Sequence, residues 1–170
     1  MRLFYLSIFI LLSINCFAVG KKNRNKCREI VSQSADTIIK AKILTTESNF
    51  KTSSSKQYFW YLNGAIGSNR GGYTGKLLHL DYTALLNNNL VRSGSFKKGL
   101  RDGKWISWYE NGNIKEICYY HRGTQRGKYF LYDDTALILS EGRYRHGKFH
   151  SKFSFKNIHL PGAKKMKISS

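Results

Sequence analysis

Hydrophobic and polar positions along this 170-residue chain fall into distinct textures. Leu3 to Ile14 is a mostly apolar run of about a dozen residues, preceded only by Met1 and Arg2. Between Glu29 and Lys42 the apolar residues Ile30, Ala35, Ile38, Ile39 and Ala41 fit a helical stripe loosely. Their β-branched content leaves a strand equally open. Thr45 to Gln57, with Thr52-Ser53-Ser54-Ser55, predicts a polar linker. From Tyr58 onward, short aromatic and β-branched clusters alternate with glycine and asparagine turns, which predicts β-hairpins.

That last texture repeats. Gly99, Gly123 and Gly147 follow one another at 24-residue steps, and so do Lys104, Lys128 and Lys152. Phe96, Tyr120 and Tyr144 keep the same step, as do Trp105, Tyr129 and Phe153. Gly71-Gly-Tyr-Thr-Gly75-Lys76-Leu77 carries the same frame at a longer interval, which predicts extra residues in a strand or turn before Asn88. Trp60-Tyr61-Leu62-Asn63-Gly64 copies Trp108-Tyr109-Glu110-Asn111-Gly112. Asn111-Gly112 is a strong hairpin turn signal because both residues tolerate positive φ. Gly123 to Gly127 predicts the following turn, and Ala136 stands where the next turn glycine belongs, so a different turn type is expected there. A lone hairpin is marginal in water, so the units must stack. The fold class expected is all-β: hairpin repeats of about 24 residues in an elongated antiparallel meander, with atypical end units.

The pattern G-x-x-x-G-K-aromatic, then W-Y-x-N-G, then Y-x-x-G resembles the MORN repeat in its bacterial variant form, over roughly Tyr58 to Phe155. Gly103 to Gly123 fits it best, and Ser151 departs from it. The resemblance implies stacked hairpins and a binding or scaffolding role, since family members are linked to membrane lipids and to protein partners. Some bacterial members are described as antitoxins.

Charge sharpens the picture. Lys and Arg number 29 against 10 Asp and Glu, a formal net charge of +19. Such a chain is drawn to anions. The N-terminal run is shorter than the roughly 20 apolar residues of a membrane span. With Arg2 before it and Ala18 after it, it fits a secretory leader over residues 1–18, cleaved after Ala18 or Gly20. Lipid attachment at Cys16 is poorly matched, because Asn15 is not small. The expected organisation is leader 1–18, basic segment and linker 19–57, repeat domain 58–158 and basic tail 159–170. The expected location is outside the cytoplasm, whether periplasm, cell surface or medium. There Cys27 and Cys118 could form a disulfide or stay as two buried thiols.

Lysine placement is the most concrete site signal. Lys76, Lys104, Lys128 and Lys152 share a repeat position, so a regular stack would align them in a column. The turns add Lys97, Lys98, Arg101, Arg122, Arg126, Arg145 and Lys148 to one edge, a positive rail for an anion or an acidic partner. Against that stands the ordinary use of lysine to solvate a sheet and block edge pairing. The aromatics could stack bases or sugars, but sheet packing requires the same residues. His146 and His150 straddle a glycine turn without further ligands, so no metal or other cofactor is expected. Carboxylates are too scattered for acid–base chemistry. The reading is therefore a non-enzymatic, exported protein-interaction or scaffolding module. Alternatives are an electrostatic binder of anionic lipid or acidic polysaccharide, and an antitoxin or immunity protein. Export disfavours nucleic acid.

Overall fold

The computed structural model describes residues 26–46 and 51–151. The leader, Lys152 and the tail lie outside the described residues. Eleven strands and no helix occur among the described residues: β1 Cys27–Ser34, β2 Thr37–Leu44, β3 Gln57–Leu62, β4 Ala65–Arg70, β5 Lys76–Leu86, β6 Asn89–Lys97, β7 Leu100–Trp108, β8 Ile114–His121, β9 Thr124–Tyr132, β10 Ile138–Arg145 and β11 Lys148–Ser151. All pairings are antiparallel, in the order β1-β2-β5-β6-β7-β8-β9-β10-β11. The hairpin sheet thus begins at Cys27, well ahead of Tyr58. Of the two readings open for Glu29 to Lys42, strand is the one adopted: Ile38, Ile39 and Ile43 on β2 favour extended backbone, and β5 supplies a partner ladder.

The turns at one end of the strands are two-residue reversals with both residues at positive φ: Lys98-Gly99, Arg122-Gly123 and His146-Gly147. This geometry matches the strand twist. The turn predicted over Gly123 to Gly127 is therefore Arg122-Gly123, and Gly127 lies inside β9. At Asn111-Gly112 only Gly112 has positive φ, inside a longer loop closed by Tyr109 N–H donating to the Asn113 carbonyl at 2.9 Å. The β9–β10 loop copies it, with Asp133 N–H donating to the Leu137 carbonyl at 2.9 Å. Ala136 takes the glycine's place at φ 68°, so the turn keeps its type despite the substitution.

β3 and β4 leave the meander path. They form a hairpin attached through Trp60 and Tyr61, which pair with Leu77 and Lys76 at the start of β5. Phe59 N–H donates to the Gly99 carbonyl at 2.8 Å, and Ser32 Oγ donates to the Gly64 carbonyl at 2.7 Å. The hairpin therefore lies over the neighbouring strands and gives the repeat sheet a second layer. Beneath it Ile43 and Leu78 are fully buried, each worth about 1.5–3 kcal/mol of transfer free energy. Phe96, Trp105 and Cys118 complete that core, and Leu44, Tyr58 and Leu77 form a smaller one.

Candidate functional site

Cross-strand register decides which repeat residues align. Gly103 faces Tyr120 and Gly127 faces Tyr144. The residue facing Phe96 in the same way is Leu80, with φ 65°. One position on, Lys104 faces Tyr119, Lys128 faces Arg143, and Asp81 faces Ser95. Lys104 and Lys128 therefore share a repeat position as expected, but Lys76 does not. It sits on the part of β5 that pairs with β3, and Asp81 occupies its slot. Asp81 makes an ion pair with Lys42 at 2.9 Å, and Lys42 lies 3.7 Å from Glu29. These acids hold the Lys42 ammonium pKa above its ordinary value, chiefly through the Asp81 hydrogen bond. Lys152 lies outside the described residues.

On the other face the repeat aromatics form a ladder. Phe96 meets Tyr82 at 5.4 Å and Trp105 at 5.0 Å between ring centres, and Trp105 meets Tyr120 at 6.3 Å. The ladder resumes with Tyr129, Tyr144 and Phe149 at 5.2–5.5 Å. The β3–β4 cover does not extend over this end, and Phe149 is 40% exposed. Desolvation and the nearby Glu116 carboxylate push the Tyr129 phenol pKa up.

The Cys27–Cys118 disulfide left open by the sequence is not formed. Cys118 holds a free thiol in the main core, and burial pushes its pKa up to about 11. Cys27 packs instead against the smaller cluster of Leu44, Tyr58 and Leu77. Cys118 occupies the column of Gly94 and Gly142, one repeat away on either side. A side chain at Gly94 would meet the Trp105 ring, and one at Gly142 the Phe149 ring and the His150 carbonyl.

The two ends of the strands differ in charge. Lys97, Lys98, Arg122, Arg126, Arg145 and Lys148 cluster at the end bearing the two-residue turns, and all are exposed. The opposite end carries Asp36, Glu110, Asp133 and Asp134 in its turns and loops. There Asp133 Oδ1 accepts hydrogen bonds from the Thr135 hydroxyl and from the Thr135 and Leu137 amides, at 2.8–3.0 Å. The Thr135 hydroxyl contact leads in holding the Asp133 pKa below its usual value.

Arg101 alone among the described basic residues expected on the rail is half-buried. It turns inward from the edge, and its guanidinium carbon sits 5.1 Å from the Phe59 ring centre, 4.9 Å from Trp105 and 5.3 Å from Tyr120. Nη1 donates to the Tyr120 hydroxyl at 3.1 Å. Nε is buried with no acceptor, and Arg101 makes no ion pair among the described residues. A groove of about 440 Å³ opens beside it, lined also by Lys56, Gln57, Thr124 and Gln125. The Lys56 ammonium donates to the Arg122 carbonyl at 2.8 Å and to the Thr124 hydroxyl. Sequence reasoning missed Lys56 and Phe59, because they reach Arg101 only once the β3–β4 hairpin folds back over the sheet. No residue spacing announces that.

No family model, curated protein or solved structure matches the chain.

Proposed function

We propose that the chain is a non-enzymatic, MORN-like hairpin-repeat module that docks an acidic protein partner through its basic turn edge. The leader-like N-terminus assigns it, in this reading, to the cell envelope or beyond. The observation that carries the proposal is the charge difference between the two sets of turns. Lys97, Lys98, Arg122, Arg126, Arg145 and Lys148 lie in or beside Lys98-Gly99, Arg122-Gly123 and His146-Gly147, with Asp102 among them. The opposite turns and loops carry Asp36, Glu110, Asp133 and Asp134, with Lys40, Arg92 and Lys115 on the strands nearby. A merely solubilising surface would intersperse the two signs. Segregated charge of this kind steers an oppositely charged partner and fixes its orientation. An antitoxin or immunity role would be the same chemistry with a toxin as partner.

Cross-linking in the native envelope fraction, with and without joint charge reversal of Arg122, Arg126 and Arg145 to Glu, tests this. Loss of one recurrent protein adduct in the reversed chain is the expected result. An adduct that survives reversal refutes the edge as the docking surface. The same edge also suits a second reading, in which anionic lipid or acidic polysaccharide is bound electrostatically. That reading requires binding to phosphatidylglycerol vesicles or polygalacturonate that collapses with added salt.

A further inference from the structure

The groove beside Arg101 differs in kind from the rest of the basic edge. The other edge cations are exposed and hydrated, so their effect is a diffuse field. The Arg101 guanidinium is instead ringed by Phe59, Trp105 and Tyr120, all within 5.3 Å. Among the described residues its Nε lacks an acceptor, and its one side-chain hydrogen-bond acceptor is the neutral oxygen of Tyr120. A desolvated cation without a counter-charge costs free energy, which aromatic faces recover only in part. An anion entering the groove would supply what is missing.

We infer that the groove between β3 and β7–β9 is a carboxylate-recognition site in which Arg101 receives an Asp, Glu or C-terminal carboxylate of an acidic polypeptide. Shape selects this ligand. Lys56 donates to the neutral oxygens of Arg122 and Thr124, so its ammonium adds to the pull on an anion without choosing among anions. The planar guanidinium fork matches a carboxylate. The ring faces that an acidic sugar would stack on are turned to Arg101 itself. The inference rests on the proposal that the partner is acidic, and adds where its decisive contact falls.

The test uses the full chain with capped hexaglutamate as probe, and oligogalacturonate and inorganic phosphate as rivals. Arg101→Lys keeps the charge but loses the fork, and is expected to weaken hexaglutamate binding by about tenfold. Joint substitution of Lys40 and Lys115 by Gln, exposed cations away from both the edge and the groove, is expected to change it by no more than about twofold, as isolated surface charges contribute little. Equal losses from the two variants, or no loss from Arg101→Lys, would overturn the site. So would tighter binding of either rival. If Arg101→Lys fails to fold by circular dichroism, the wild-type chain still decides. Its Arg101 Nε–H resonance is expected to shift on titration with hexaglutamate, and an unmoved resonance at saturation refutes the site. Because the edge reversal leaves Arg101 in place, failure of the edge proposal and failure of this one are distinguishable.

Discussion

Single residues in this fold are constrained by the partner directly across the ladder. A Cβ on Gly94 would lie 2.2 Å from the Trp105 ring, so the ring or the strand must shift to admit it. Gly94→Ala is expected to cost about 1–3 kcal/mol in urea unfolding, in the range of overpacked cores. A midpoint equal to wild type would show that Trp105 is free to move. Ala136 presents the opposite case. It holds φ 68° in a loop whose twin carries Gly112 at φ 85°. A left-handed alanine is strained by about 1–2 kcal/mol, offset in part by its smaller loss of chain entropy relative to glycine. Ala136→Gly should therefore stabilise by about 0.5–1 kcal/mol, and a lowered unfolding midpoint would contradict that. The substituted glycine was visible in the sequence, but its consequence was not. The loop closes through backbone bonds that alanine can still make, so strain is accepted and the turn type survives.

At the scale of elements, the hairpin period was legible because each repeat step restores the same turn and the same inward aromatic. The offset of the first unit was not. Gly75-Lys76-Leu77 matches the motif in letters, yet β5 spends that stretch pairing with β3 and reaches the repeat register only at Leu80. Letters record composition, and register belongs to the partner strand. The β6–β7 hairpin carries a further element-level property. His79 on β5 accepts the Lys98 N–H at its Nδ1, 3.1 Å away, so it serves the turn only while that nitrogen is unprotonated. Burial, with Lys97 and Lys98 adding repulsion, lowers its pKa from 6.5. The unfolded chain then binds the proton more readily than the folded one. This contribution to stability is complete above pH 6.5 and is lost as pH falls from there through the lowered folded value. Unfolding free energy measured from pH 7 toward pH 5 should therefore decline in the wild type, and His79→Gln should flatten that decline. A parallel slope in the variant would assign the loss to other groups.

Across the whole molecule, stability must be graded, because only part of the sheet has a second layer. The β3–β4 hairpin packs over the strands that supply Ile30, Ile43, Leu78 and Phe96, all 7% exposed or less. At the far end every residue of β11 is exposed, and Leu137 in the β9–β10 loop and Ile138 and Leu139 at the start of β10 are 66%, 51% and 47% exposed. Stacked repeats draw stability from their own hairpin and from neighbour interfaces, so an end unit without a cover opens first. Amide hydrogen exchange should thus be slowest in β2, β5, β6 and β7, intermediate in β8 and β9, and fastest in β10 and β11. Uniform protection across the sheet would mean that the meander opens as one cooperative unit and that the β3–β4 layer adds little. The graded outcome carries a functional corollary: the Arg101 groove lies where β3 meets β7 and β8, within the covered part. A recognition arginine held there stays in place while the open end of the ladder frays, so binding at Arg101 and fraying of β10–β11 should vary independently between variants.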